Sequence, residues 1–311
     1  MKKSVRFLLL GFVVLMGACC HDDEEVLIEG KRPVQFFGNL TELNQKTKTT
    51  QGFFVTNDSI GIFMIKSGSQ LSSTSILDGV NNYIYKTPTI GTNPEFYPAS
   101  TDTIFYPTPA VPSFIAYSPA QVLIGSDFLL PVDLSAQVKI SDLPKLDLLY
   151  SDNATNQTSI AVQLRFNHMY SYLNFEINAG TGLTPAELDG IRVVVRNIST
   201  TSDFDLVTGS FQNLGAQTDS IVAPGQYYFS NKSAFFECLL LPGANGSNSQ
   251  IVFQLASNKT FVYEIPATQE FLSGYIYTYV ITLSAQSAII NGAINPWLPG
   301  TLPNDGVITV P

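Results

Sequence analysis

The chain has 311 residues, with 16 Lys and Arg against 25 Asp and Glu and a formal net charge of −9. That acidity argues against nucleic acid or an anionic membrane surface as a partner. Only 13% of the residues are charged, a balance typical of all-β extracellular proteins, and the length suffices for two domains with a sizeable core in each.

The elements begin with a targeting segment. Lys2 and Lys3 precede an apolar run from Phe7 to Met16 that ends in Gly17-Ala18. A basic start, a short apolar core and small residues read as a secretory signal peptide over residues 1–18, and the run falls short of the roughly 20 residues that span a bilayer. Cys19 directly after Gly-Ala resembles the bacterial lipobox, in which the thiol is diacylated and becomes the new N-terminus. The doubled cysteine leaves Cys20 as the other acylation candidate, and an ordinary signal peptide with an incidental cysteine pair is the plainer reading. Residues 19–32, with Asp22-Asp23-Glu24-Glu25 near their start, then form a lipidated acidic tether. Without residues 1–18 the chain keeps 13 basic residues against 25 acidic ones, a charge of −12.

Beyond the tether, apolar runs of a few residues recur between Gly, Pro, Asn, Asp and Ser, the pattern of β-sandwiches. Strands are expected at Val34–Phe37 and Ser59–Ile65, and at Phe105–Pro107 and Phe114–Pro119, which proline should confine to edges or ends. Leu146–Tyr150 reads as another short strand. The polar stretch 151–158 interrupts the pattern, and a boundary at 157 gives an N-terminal sandwich over 33–157 and a C-terminal one over 158–311. The latter opens on residues 160–177, whose apolar set changes from even positions (Leu164, Phe166, Tyr170) to odd ones (Leu173, Phe175, Ile177). A strand has a period of two, so a bulge or bend is expected near Ser171-Tyr172. Thr184-Pro185-Ala186-Glu187 carries a capping box with proline at the first helical position and predicts one short helix, in the second domain. Strands follow at Ile191–Val195 and Phe235–Leu241, then a hairpin 251–255 to 261–265 through Ser257-Asn258, then Tyr275–Leu283. The fold class is all-β, two sandwiches in tandem. Cys238, the one cysteine of this body, cannot form an internal disulfide framework.

Catalytic signals are sparse. His168 lies in a strand among apolar neighbours and is read as bonded to a backbone carbonyl. Zinc-spaced cysteine pairs, a P-loop and a Gly-x-Ser-x-Gly elbow are absent from the sequence. No catalytic residue, metal site or cofactor is expected. Tyr83, Tyr85, Tyr97 and Tyr106 are candidates for stacking on sugar rings, although clustered strand tyrosines more often pack.

The order of segments resembles a known family. After the lipobox come Val34-Gln35-Phe36, the Lys/Thr-rich loop Lys46-Thr47-Lys48-Thr49-Thr50, Asn57 to Met64, Asn81 to Tyr85, Ile104 to Pro107, Phe114 to Pro119, Asp147 to Tyr150, Leu164 to Ser171, Gly274 to Tyr279 and Ile294-Asn295-Pro296-Trp297. This looks like the fimbrillin family of Bacteroidales, the FimA-like and Mfa-like pilus subunits. The resemblance implies transthyretin-like sandwiches, a lipoprotein precursor carried to the outer membrane surface, and assembly by strand exchange. In such subunits a trypsin-like protease cuts the loop after the first strand, the strand leaves, and a strand of the next subunit enters. Here the cut would fall at Lys46 or Lys48, where family members carry arginine, and Arg32 is followed by Pro33, which blocks most such cleavage; the chain is therefore either a structural subunit cut by a protease that accepts lysine, or one that stays lipid-anchored, as the membrane anchor of the fimbria or an unpolymerised surface protein. The acidic residues 22–25 are similar to the surface-export signal of Bacteroidota lipoproteins, and Asp58-Ser59-Ile60, Asp102-Thr103-Ile104 and Asp219-Ser220-Ile221 are similar to their O-glycosylation acceptors. Trp297-Leu298-Pro299-Gly300 should end the second domain, and Val307-Ile308-Thr309-Val310 is either an edge strand of its own domain or a donor to the next subunit. The partners implied are other fimbrial subunits, the outer membrane through the lipid, and a host or bacterial surface ligand. The other functional reading is a surface adhesin or glycan-binding lipoprotein that does not polymerise.

Overall fold

The computed structural model describes residues 31–40, 53–228, 233–285 and 288–296. The first part of the chain supplies β1 (Gln35–Leu40), β2 (Ser59–Lys66), β3 (Tyr83–Lys86), β4 (Glu95–Pro98), β5 (Pro112–Ser118), β6 (Leu129–Asp133), β7 (Leu149–Ala154) and β8 (Ala161–His168). All except β6 join one closed sheet in the order β1-β4-β3-β2-β5-β7-β8. Closure comes from β1, which runs antiparallel to β4 and parallel to β8.

The later part supplies β9 (Ser171–Ala179), β10 (Arg192–Ile198), β11 (Thr201–Asp205), β12 (Ser210–Gln212), β13 (Asp219–Ala223), β14 (Gly225–Tyr228), β15 (Ser233–Leu240), β16 (Asn245–Gln254), β17 (Thr260–Glu264), β18 (Tyr275–Leu283) and β19 (Ala288–Pro296). They form sheets ordered β13-β10-β16-β17 and β14-β15-β9-β18-β19, with a third of order β12-β11-β6. The first two face each other across aromatic contacts. Phe175 of β9 meets Phe253 of β16 edge-on at 6.4 Å, and Tyr279 of β18 lies 6.3 Å from Tyr263 of β17. The chain is therefore nearly all β.

Several expected elements shift, each for a physical reason. The change of phase between residues 164 and 177 is a change of sheet, not a bulge. β8 turns Val162, Leu164, Phe166 and His168 inward, the chain breaks at Met169-Tyr170, and β9 buries Leu173, Phe175 and Ile177 in another sheet. Because β8 hydrogen-bonds to β1 and β7, the first sheet runs past residue 157 to His168. The polar stretch after Tyr150 belongs to β7, and a bulge opposite Phe114-Ala116 accommodates its extra residue.

The strand expected from Leu146 begins at Leu149. Leu143–Leu146 is instead an α-helical turn (α1), preceded by a 3-10 turn at Ile140–Asp142, with Pro144 in its first positions. The α-helical turn thus lies in the first half, whereas the segment expected to be the short helix of the second half, Pro185–Leu188, is a 3-10 turn. Its capping box forms as expected, the Thr184 N–H donating to the Glu187 carboxylate at 2.7 Å. β5 is central, between β2 and β7, because Pro112 opens the strand and Pro119 follows it, leaving the interior ladder intact. Phe105 lies outside the strands and forms an isolated bridge to Pro33.

Two apolar clusters hold these sheets. The smaller lies inside the closed sheet, where Phe36 packs edge-on against Tyr85 and Phe114, and Phe54 against Phe96 and Phe166. Such pairs add about 0.5–1.5 kcal/mol each beyond their buried area. The larger cluster joins Phe63, Tyr117 and Phe128 to Val195, Phe204 and Ile221, so both halves contribute to it. Gly61 is required where it stands, since a Cβ there would come within 2.4 Å of the ring of Tyr117, its partner on β5.

Candidate assembly site

β1 is held unequally on its two sides. Phe36, Gly38 and Leu40 face the interior and Gln35 is exposed. On one side the register with β8 runs unbroken from Gln35 opposite Ala161 to Leu40 opposite Phe166. On the other only Phe36 and Phe37 pair with β4, opposite Phe96 and Glu95. Gly38 adds one bond across that side, its N–H donating to Pro94 O at 3.1 Å. Gln163 braces the edge by donating to Phe37 O at 3.2 Å and to Asn93 Oδ1 at 2.7 Å.

Burial supplies the rest of the hold. Phe36 and Leu40 are 0% and 5% exposed, and each contributes about 1.5–3 kcal/mol from apolar area. A Cβ at Gly38 would lie 2.8 Å from Phe96 and 3.2 Å from Phe166, so the aromatic rings close directly over the backbone there. Lifting β1 out would leave an apolar groove between β4 and β8 with unpaired backbone groups along both walls, the arrangement that accepts an added strand.

At its start the strand is tethered through Arg32, whose carbonyl accepts the Tyr106 N–H at 2.8 Å and whose guanidinium lies 5.2 Å from the centre of that ring. A cavity opens at its other end, walled by Leu40, Phe54, Leu143, Leu149, Tyr172 and Leu239. His168 lies there at the end of β8. Its Nδ1 is 2.6 Å from Asp147 Oδ2, so the ring pairs with a carboxylate, not with the backbone carbonyl expected from sequence. Asp147 had been missed because its segment read as strand; Pro144 among leucines was the signal for the helical turn that it ends.

The other sequence candidates fare unevenly. Cys19, Lys46, Lys48, Val307, Ile308, Thr309 and Val310 lie outside the described residues. Of the tyrosines, Tyr85 is 1% exposed and its hydroxyl accepts the Ile104 N–H at 2.7 Å, so it is core and not a sugar platform. Burial pushes its phenol up to about 12. Tyr106 donates to Gln157 O at 2.9 Å, Tyr83 is half-buried, and Tyr97 alone of the four is exposed. Ser220 is exposed, and Ser59 and Thr103 are half-buried.

The body is nearly all β, with its first strand set into a sheet between two long-range neighbours. The model of a family described as fimbrillin-like matches residues 47–297, and the chain belongs to that family. Its role is that of a fimbrial protein at the cell surface. A curated relative from Bacteroides uniformis, provisionally described as the fimbrium subunit Fim1C, is 24% identical over 309 residues, covering 96% of this chain and 97% of its own. Two crystal structures provisionally described as cell adhesion proteins share the fold. One, from Bacteroides uniformis, has a TM-score of 0.71 at 25% identity and covers 87% of this chain and 99% of its own. The other, from Bacteroides ovatus, has a TM-score of 0.65 at 18% identity, with the same coverage.

Proposed function

We propose that the protein is a non-catalytic fimbrial subunit, made as a lipid-anchored precursor at the outer membrane and, once β1 and the lipid are cut away, joined to its neighbours by strand exchange. Acylation of Cys19 holds the secreted precursor, and residues 19–32 carry it to the outer face. The body is two tandem transthyretin-like sandwiches, 33–157 and 158–311, with β8 reaching back to seat β1. Cleavage at Lys46 or Lys48 frees β1, and a strand of the next subunit, with Val307–Val310 as the candidate donor, takes its place. The observation that carries this reading is the seating of β1: it ends at Leu40, just before the segment that holds Lys46 and Lys48, and one cut there detaches it from the rest of the body.

A lock on β1 tests the proposal. Gln35 and Ala161 are both exposed and directly opposite each other, so the double variant Gln35→Cys, Ala161→Cys can tie β1 to β8. Treated with a lysine-specific protease, the wild-type chain should form polymers, the oxidised double variant should stay monomeric, and reduction should restore assembly. Equal polymerisation of the oxidised variant would reject exchange of β1. The anchor is tested separately: Cys19→Ser should move the protein out of the membrane fraction without changing its melting temperature.

A further inference from the structure

Among the described residues β17 is an edge strand, paired with β16 on one side and open on the other. Which backbone groups face the open side follows from the hairpin. Leu255 N–H donates to Lys259 O at 2.8 Å, and Ile265 N–H donates to Ser249 O at 2.9 Å. Bonded pairs alternate along an antiparallel ladder. In the register that runs from Gln250 opposite Glu264 to Gln254 opposite Thr260, Phe261 and Tyr263 therefore bond to β16. The N–H and C=O of Thr260, Val262 and Glu264 point away from β16, with no partner among the described residues.

Proteins guard such edges with proline, short strands or charge. β6 carries Pro131 at its centre, and β12 has three residues. β17 has neither device, and its one charged side chain is drawn back over its own sheet. Arg196 Nε donates to Gln250 Oε1, and Gln250 Nε2 donates to Glu264 Oε1. The outer face adds an apolar row: Val222, Val194, Val252 and Val262 stand side by side across β13, β10, β16 and β17. Their neighbours Ile221, Val195, Ile251 and Tyr263 turn into the core instead. The row ends on the open edge at Val262, which is 48% exposed.

The edge is also nearly symmetric about Val262. Phe261 and Tyr263 flank it, and Thr260 and Glu264 stand beyond them. Two copies set antiparallel about Val262 would bond every outward N–H and C=O, Val262 with the partner's Val262 and Thr260 with the partner's Glu264. Phe261 would lie opposite the partner's Tyr263, and the two valine rows would become one. Other registers do worse. A shift of two residues leaves outward groups unused, one centred on Glu264 sets two carboxylates opposite each other, and a one-residue slip sets inward side chains against outward ones.

We propose that β17 is a self-association edge, at which a second copy of this chain adds its own β17 and continues the four-stranded sheet across a two-fold axis. β1 has no part in this sheet, so the contact joins subunits side by side and does not depend on strand exchange.

The test uses the uncut mature chain carrying Cys19→Ser, in reducing buffer, so that neither β1, nor the lipid, nor Cys20 links two copies. Sedimentation equilibrium should show a reversible dimer, and amide exchange at Val262 should slow as protein concentration rises. Val262→Pro removes the central N–H at an edge position that tolerates proline and should leave a monomer. Val262→Lys keeps that N–H but sets two ammonium groups opposite each other, and should weaken the dimer about tenfold or more. Val222→Lys, at the far end of the valine row, should dimerise like the wild type. The proposal is overturned if the wild-type chain stays monomeric, if the dimer survives Val262→Pro, or if Val222→Lys weakens it as much as Val262→Lys, the mark of packing face to face. Dimers that form only after deletion of residues 301–311 would overturn it too, by assigning the edge to the chain's own tail.

Discussion

β8 and β9 follow each other in the chain, and each takes a parallel neighbour from far away, β8 from β1 and β9 from β18. The two parallel seams are of similar length, yet the strands that complete them are held very differently. β18 continues into a second full seam, nine residues in register with β19 from Tyr275 opposite Pro296 to Leu283 opposite Ala288. β1 has two paired residues on its second side. β9 in turn is gripped by β15 from Ser171 opposite Leu240 to Asn178 opposite Ser233. A strand's hold on the fold depends on both its neighbours, and β1, short on one side as β4 and β8 are, is the one that a single cut after Leu40 would part covalently from the rest of the body.

The most damaging way to break the comparison is through the well-held side. Phe175 on β9 is fully buried, stacked on Tyr279 at 5.5 Å. Phe175→Ala should cost about 3–5 kcal/mol of global stability, read from the urea midpoint at unchanged slope. A loss below about 1 kcal/mol would mean that the five-stranded sheet is not the rigid half.

Next comes a probe of β1 itself. Gly38→Ala pushes a methyl group into Phe96 and Phe166 and should cost about 1–3 kcal/mol by overpacking. In a chain nicked within residues 41–52, the variant should release β1 faster than the wild type, followed by size exclusion under native conditions. Equal release rates would remove the close approach at Gly38 as a component of the hold.

A third variant sharpens the boundary between the regions. Gln137 is buried in the connection from β6 to α1; its Oε1 accepts the Leu239 N–H at 2.7 Å, and its Nε2 donates to Leu239 O at 2.8 Å and Leu134 O at 3.0 Å. Gln137→Ala strands both groups of Leu239 on β15 and should cost about 1–3 kcal/mol, with hydrogen exchange speeding up at Leu239. Unchanged protection there would show that the connection does not bind the halves together.

The smallest effect is one of pH. Desolvation by burial raises the Asp58 carboxyl above its usual value, opposed by the hydrogen bond from the Val55 N–H. A raised carboxyl favours the folded state when protonated, and that contribution fades as pH rises through its folded value. Asp58→Asn should therefore gain on the wild type in melting temperature between pH 3 and pH 7. A difference that stays flat over that interval would show that burial does not act on Asp58 as described.

The sequence made the strongly patterned strands legible. Ser59–Ile65, Phe114 to Ser118, the hairpin around Asn258 and Tyr275–Leu283 fall within a few residues of β2, β5, the β16–β17 pair and β18, because in each the alternation or apolar run ends in turn formers. Short strands such as β3, β4 and β12 carry too few residues for a period to register. β6 and β11 were hidden differently: they pair with each other across more than sixty residues of chain, and no local pattern encodes that. The closure of the first sheet was likewise invisible, since it depends on β1 meeting β8. The cavity was half visible. His168 stood out as the single histidine of the folded body, whereas Asp147 gained its meaning only from a helical turn that turned its carboxylate toward that ring.

The position of β1 in the chain also bears on timing. Gln35–Leu40 emerge first, yet their longest seam is with residues 161–166, more than 120 positions later. Contacts of such separation are expected to form slowly, because the intervening chain must be gathered before they return any energy. The opening of the barrel is therefore the state that precedes completion in every molecule, and a chain that has delivered everything up to β7 holds β1 by its short β4 side alone, with the place of β8 still vacant. Whatever escorts the protein to the cell surface meets an acceptor before it meets a finished subunit, and the order of synthesis alone keeps neighbouring chains from filling one another too early only if β8 follows closely behind.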